Sequence, residues 1–273
     1  MNKLVHSFWT KPAIEKRWGE EDQLRKNIWN YATSACYAHQ LGIPIELHTD
    51  YYGAELLEDL PYNKVYITLE NFNHNRHFWA GGKFEAYKYM NEGDIHIDGD
   101  VFIKTRMAQN ALSFNGYDAV FQNWEWEGDA KSCYWEGLNA MMKKTTFPEW
   151  FDISLNPINC GVVGFNNMKL KHEYIDAYFE YTDRFKDCKD DSSILVLEQW
   201  FISSLLKKHE SNVKFVFDEN SDKEKQAVEM GYQHILGKAK YDEENMQHVY
   251  FFLKNLDINL HNHIIEKYKQ NRF

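Results

Sequence analysis

Gly93-Asp94-Ile95-His96-Ile97-Asp98-Gly99-Asp100-Val101-Phe102-Ile103-Lys104-Thr105 is the stretch from which the rest of the chain is read. Asp94 to Ile97 alternates polar and apolar residues, and Val101 to Ile103 is wholly apolar, so both flanks predict buried strand. Between them Asp98 and Asp100 stand on either side of Gly99, at the point where a strand stops. Two like charges held so close are unfavourable unless a proton or a cation offsets them. A hard divalent ion takes oxygen ligands and commonly holds substrate phosphates as well. The glycine permits a sharp turn and the close approach of a ligand. The plain alternative is a polar turn between strands. An EF-hand is excluded: Asp94, His96, Asp98 and Gly99 imitate the start of its loop, but the twelfth position is Thr105 instead of Glu.

Toward the N-terminus the pattern alternates. Leu4 to Trp9 predicts a first buried strand, ended by Lys11-Pro12. Leu24, Ile28, Tyr31, Ala35 and Ala38 recur at helical spacing within a helix over 20–41, with Gly42 as its stop. Ile43 to Leu47 predicts a second strand, running into His48-Thr49-Asp50. A helical stretch from Ala54 to Leu60 leads to a third strand, Lys64 to Leu69. Gly81-Gly82-Lys83 then opens a helix reaching Met90; it carries neither a P-loop nor GxGxxG. Strand and helix in alternation predict a parallel sheet with right-handed crossovers, whose ligands bind beyond the carboxyl ends of the strands. Trp9, Asp50 and Asp98 all stand at such ends. Lys83 at a helix start opposes the helix dipole, a conflict that an anionic ligand or simple solvation would remove.

Toward the C-terminus the pattern is less regular. Asp118 to Asn123 predicts a strand, followed by Trp124, Trp126 and an acidic run over 125–136. Residues 129–146 read as an irregular helix, and Asn159 to Asn166 as a strand with a polar start and two glycines. Met168 to Phe185 and Ser193 to Leu206 read as amphipathic helices, the second carrying Glu198-Gln199 in an apolar run. Val213 to Phe217 predicts a strand. Gly231 to Lys240 reads as a ligand-rich loop with few apolar anchors, expected to close over a bound molecule. The last helix, over 244–271, is expected to break between Asn255 and Asn259.

The chain has 273 residues, 44% of them hydrophobic, enough for a sizeable core. Aromatics at 16%, with 9 Trp and 17 Tyr, suit sugar or base contacts as well as core packing. A formal charge of −10 without a basic stripe excludes nucleic acid as a partner. The four cysteines, Cys36, Cys133, Cys160 and Cys188, are too widely spaced for a zinc site or a disulfide framework. The N-terminal apolar run is too short for a signal peptide, and no stretch reaches 18 apolar residues. A cytoplasmic protein without a transmembrane segment is expected, with peripheral membrane attachment left open.

Three stretches in this order resemble the GT-A glycosyltransferases, enzymes that use nucleotide-sugar donors, and most nearly the glycogenin-like family 8. Asp98-Gly99-Asp100 is similar to that family's D-x-D. Asn159-Cys160-Gly161-Val162 resembles its N-x-G-V segment, and His234 to Lys240 its H-x-x-G-x-x-K. Glu198-Gln199 stands where the family often has Asp-Gln, and Lys83 where it has a basic residue before the D-x-D strand. The chain departs from the pattern at Tyr241-Asp242, where Pro-Trp is usual, and is similar to a bacterial branch of the superfamily. The resemblance spans residues 4–241. It implies an α/β, GT-A-like single domain, with a Rossmann-like, mostly parallel central sheet flanked by helices. Residues 1–105 would form the nucleotide-binding half, 106–243 the acceptor and closing half, and 244–273 a C-terminal helix.

The same resemblance implies Mn²⁺ or Mg²⁺ on Asp98, Asp100 and neutral His234, an O,O,N set suited to either ion, with imidazole favouring Mn²⁺. Lys83 and Lys240 would act as point charges on the donor's phosphates. Trp9, Asp50, Asp98, Asn159 and Gly237 are further candidate donor contacts, and Glu198 and Gln199 candidate catalytic residues. The expected partners are a nucleotide-sugar donor, UDP-sugar favoured, and a glycan or small-molecule acceptor, with retention of configuration implied. Two other readings stay open. A haloacid-dehalogenase-like phosphatase would use Asp98 as nucleophile and Asp100 as acid/base, and a carbohydrate-binding protein of the same fold would have no turnover.

Overall fold

The apolar runs form nine short strands in a computed structural model that describes residues 1–17, 19, 22–125, 130–187, 190–219 and 221–269. They are β1 (Leu4–Phe8), β2 (Ile45–Thr49), β3 (Lys64–Ile67), β4 (Ile95–Ile97), β5 (Val101–Ile103), β6 (Ala119–Trp124), β7 (Ile158–Phe165), β8 (Val213–Phe215) and β9 (Tyr232–His234). Trp126 and Cys188 lie outside the described residues, as does the acidic run over 126–129.

Seven strands build one sheet in the order β3-β2-β1-β4-β7-β6-β8. β1 is parallel to β2 and β4, β2 to β3, and β6 to β8. Only β7 runs against its neighbours, β4 and β6. The fold is thus α/β with a mostly parallel central sheet, as the alternation of the first hundred residues predicts. The inversion of β7 has a consequence for the site. It brings the start of β7, where Asn159 lies, to the same edge as the carboxyl ends of β1, β4 and β6.

Both faces of the sheet are covered. On one, Phe8 and Leu47 pack with Ile28 and Trp29 of the helix Gln23–Gln40 and with Leu253 and Leu260 from the C-terminal helices. On the other, Val5, Phe121 and Val163 meet Phe84, Tyr174, Tyr178 and Phe201 from three further helices. The helix Gln23–Gln40 stops where glycine predicts: Gly42 has φ +65°, the left-handed conformation that terminates helices with least strain. The C-terminal segment is two helices, Glu243–Leu256 and Ile258–Lys269, parted at an extended Asp257. The Asp257 carboxylate accepts from the backbone N–H of Asn259 and Leu260, capping the second helix.

Three local expectations are corrected. Val101 to Ile103 does not continue the central sheet: after the turn at Asp98-Gly99-Asp100, β5 pairs antiparallel with β9 in a separate two-stranded sheet. The stretch Gly231 to Lys240 is therefore not a free loop. Tyr232 to His234 is strand, Gly237–Tyr241 a 3-10 turn, and Tyr232, Ile235 and Tyr241 are buried anchors. The helix expected from Ala54 starts instead at Tyr51, because Asp50 caps it. Among the described residues no helix is long and apolar enough to cross a membrane.

Candidate active site

The turn after β4 is held by backbone bonds before any side chain acts. Asp98 N–H donates to the Gly161 carbonyl on β7, and Ile235 N–H donates to the Asp100 carbonyl. Gly99 lies against Tyr31, where an added Cβ would sit 2.4 Å from the ring. The register of β5 and β9 sets Val101 opposite His234. Asp98, Asp100 and His234 consequently converge, with one ligand atom from each lying within 4.8 Å of the others.

Two lysines close on these carboxylates. Lys83 Nζ is 2.8 Å from Asp98 Oδ1 and 2.9 Å from Oδ2, and it also lies 2.6 Å from Glu198 Oε1. Lys240 Nζ is 2.6 Å from Asp100 Oδ2. Burial disfavours a charged Lys83, but Asp98 and Glu198 outweigh it and hold its pKa well above the ordinary lysine value. Lys240 is raised against the same penalty by Asp100. Burial likewise opposes ionisation of Asp100, yet Lys240 holds its carboxyl well below the usual range. Glu198 differs. It is 0% exposed, and burial pushes its carboxyl up despite Lys83.

The donor set fits a metal ion. His234 Nδ1 lies 2.7 Å from Gln122 Oε1, which also accepts from the Tyr232 hydroxyl. An amide oxygen only accepts, so Nδ1 carries the hydrogen, and the Nε2 lone pair points toward Asp100 Oδ1, 3.5 Å away. That oxygen is buried without a hydrogen-bond partner. Two acceptors facing each other need a proton or a metal cation to join them, and a histidine fixed through its other nitrogen is the usual form of a metal ligand.

The expected residues divide into three groups. Trp9, Lys83, Asp98, Asp100 and Lys240 line one cavity of about 110 Å³ at the edge of the sheet. Asn159 and His234 line a second, of about 280 Å³, with Gln122 and Glu125. The contact between Asp100 and His234 joins the two groups. The third group stays apart. Asp50 accepts from Thr10 N–H and Oγ1 through one oxygen and from Gly53 N–H through the other, so its carboxylate is occupied as a helix cap. Gly237 lines neither cavity. Gln199 lines neither as well, and its amide oxygen accepts from the Tyr134 hydroxyl. Glu198 and Gln199 sit in a single π-helical turn, Val196–Trp200, a distortion that recurs at functional sites.

Residues not picked out in the sequence also build the site. Gln122 orients His234, Tyr31 covers Gly99, and Arg17 and Trp79 line the first cavity. Gln122 did carry a signal, as a polar residue that follows the apolar run Ala119 to Phe121 within β6. Arg17 stacks on Trp79 at 4.5 Å and reaches Asp191 at 3.6 Å, and no local pattern announces either contact.

Several solved structures align with part of this chain. The galactosyltransferase LgtC, in complex with donor and acceptor sugar analogues, aligns with a TM-score of 0.39 at 15% identity, covering 72% of this chain and 70% of that one. An active-site mutant of LgtC aligns equally. Mouse xyloside xylosyltransferase 1, apo form, aligns with a TM-score of 0.34 at 12% identity, covering 71% of this chain and 82% of that one. No curated protein matches the sequence. The profile of a family of unknown function, DUF6734, matches residues 1–267, and the chain belongs to that family.

Proposed function

We propose that this chain is a metal-dependent glycosyltransferase that moves a sugar from a nucleotide-sugar donor to a glycan or small-molecule acceptor. One observation carries the reading: Asp98, Asp100 and His234 meet within 4.8 Å although 134 positions separate the second from the third. Lys83 and Lys240 flank them. Asp98, Asp100 and His234 would hold Mn²⁺ or Mg²⁺, with Gln122 fixing the imidazole. When bound, the ion supplies charge neutralisation for a departing diphosphate. Lys83 and Lys240 bind the phosphate oxygens, a role that suits compact point charges. Trp9, Tyr31 and Trp79 offer flat faces to a base or sugar ring. Asn159, held by its bond to Gly161 N–H, contacts the sugar from the second cavity.

The motif resemblance supports a UDP-sugar donor and retention of configuration. Glu198 acts through Lys83 and not on the sugar, since it is wholly buried. Cys36, Cys133 and Cys160 are free thiols, which supports action in the reducing cytoplasm. The test is a thermal-shift panel of UDP-, GDP-, CMP- and dTDP-sugars with Mn²⁺, followed by donor hydrolysis with and without the ion. A donor at a hundred times its dissociation constant should add about 2.7 kcal/mol. Its hydrolysis should require the divalent ion and be lost in Asp100→Asn. If no donor binds or turns over under any condition, the reading fails.

A further inference from the structure

We infer that Lys83 and Lys240 are exchangeable counter-ions of the Asp-Gly-Asp carboxylates, so that the divalent ion and the diphosphate bind well only together. The inference rests on the metal and diphosphate reading of this site and adds how the site is regulated. Lys83 Nζ spans both oxygens of Asp98, and Lys240 Nζ holds Asp100 Oδ2. These oxygens belong to the residues that converge with His234. A divalent ion arriving there meets two ammonium groups already seated on its ligands. Both lysines are largely withdrawn from water, so their charge is weakly screened.

The charge inventory shows why neither ligand suffices alone. Asp98, Asp100 and Glu198 contribute three negative charges, and Lys83 and Lys240 two positive ones, leaving one negative charge. Arg17, which also lines the cavity, is matched by Asp191. A divalent ion alone turns the site to plus one. The diphosphate diester of a nucleotide-sugar alone, with two negative charges, turns it to minus three. Both together restore minus one. The lysines then have a geometric reason to move: each leaves a carboxylate oxygen for a phosphate oxygen, and the ion takes the carboxylates. No bond to carbon or phosphorus changes in this exchange; only ion pairs are traded.

The exchange differs from a site in which the lysines are merely phosphate ligands, because it sets the sign of one effect. Removing Lys240 should tighten the binding of the ion by itself. The experiment measures Mn²⁺ by the loss of its free-ion electron paramagnetic resonance signal. Wild type, Lys240→Met and Asp100→Asn are compared with no anion, with inorganic pyrophosphate and with UDP, corrected for Mn²⁺ bound by the anions in solution. In wild type, the anion should tighten Mn²⁺ about tenfold or more, within the usual range of coupling between sites. Lys240→Met should bind Mn²⁺ alone about tenfold more tightly than wild type and lose most of the coupling.

Equal Mn²⁺ affinity with and without both anions in wild type overturns the inference, and this arm depends on no variant folding. Unchanged or weaker Mn²⁺ binding by Lys240→Met overturns it too. If Mn²⁺ still binds and Asp100→Asn abolishes it, the metal site of the proposed function stands without the inference. If Mn²⁺ never binds, the inference falls in any case. Turnover of a nucleotide-sugar in chelator would then preserve a transferase without the metal, and absence of turnover would end both.

Discussion

Replacing Lys83 with Met tests how far this site depends on internal charge balance. Lys83 Nζ stands 2.6 Å from Glu198 Oε1 and 2.8 Å from Asp98 Oδ1, and Met fills most of the space while removing the charge. Glu198 is wholly buried, and its other oxygen already has no hydrogen-bond partner. Breaking a buried ion pair from one side costs about 3–5 kcal/mol, a large part of the roughly 5–15 kcal/mol that holds a domain folded. The loss should depend on pH. Burial raises the Glu198 carboxyl, Lys83 restrains that rise and Asp98 adds to it, so removing Lys83 raises it further. A carboxyl raised in the native state binds a proton that the unfolded chain has released. Its contribution is then fully favourable below the unfolded value of about 4.3 and is lost as pH climbs toward the native value. Urea unfolding in chelator at pH 5 and pH 8 measures this. Lys83→Met should lose about 3–5 kcal/mol at pH 8 and distinctly less at pH 5. Adding Glu198→Gln, which removes the stranded charge, should recover about half of the loss or more. A loss below about 1 kcal/mol, the size expected of an exposed pair and equal at both pH values, would show that Glu198 does not depend on Lys83 for its charge balance.

Gly161→Ala should disturb His234, a proposed metal ligand, through packing alone, since its Cβ would lie 2.4 Å from His234 Cε1 and 2.8 Å from Gln122 Oε1. We expect Mn²⁺ affinity in the presence of nucleotide to fall about 10–100-fold, as for loss of a residue that orients a ligand. Unfolding should show a loss of about 1–3 kcal/mol, and calorimetric titration unchanged from wild type would show that His234 is not held there. Asp50→Ala should cost about 1–2 kcal/mol by removing a helix cap and leave donor affinity unchanged, which titration of the donor checks. Burial lowers His6 to about 3 and His48 to about 4. The unfolded chain then takes up protons near pH 6.5 that the native state refuses, so stability is complete above pH 6.5 and falls toward pH 4. Each unit of separation is worth about 1.36 kcal/mol, and a denaturation midpoint that stays flat across that window would contradict the burial of both rings.

The parts of the fold legible in the sequence are those in which one local pattern settles one element. β1, β2, β4, β6 and β7 lie in apolar or alternating stretches, where the pattern places them. β9 is three residues, Tyr232-Gln233-His234, with no apolar alternation to reveal it. It is strand because β5 offers an edge, a partner 129 positions away. The C-terminal break is legible because Asp257 sits between two apolar periods, and an aspartate there caps the second helix. Asp50 was legible as a polar residue at a strand end, but strand-end ligand and helix cap share that position. Only the fold shows the cap, through the three bonds that occupy its carboxylate.

The site divides along the same line. Asp98 and Asp100 identify themselves, because a crowded pair of carboxylates is conspicuous wherever it occurs. Lys83 and Lys240 are singled out in the sequence by a helix start and by the family resemblance, but nothing local shows that the fold brings them 2.8 and 2.6 Å from the two carboxylates. Glu198 and Gln199 show the limit most clearly. Adjacent polar residues in an apolar helix read alike, as two candidates for contact with substrate. Successive side chains on a helix diverge by about 100°, and within the turn Val196–Trp200 they part accordingly, Glu198 to Lys83 and Gln199 to Tyr134. A residue that meets the substrate and one that holds its neighbour in place have the same letters in a sequence. What separates them is access. Glu198, with no exposed surface, would influence the proposed diphosphate only through the ammonium group it restrains, and for that reason the double variant with Lys83 is more informative than Glu198→Gln alone.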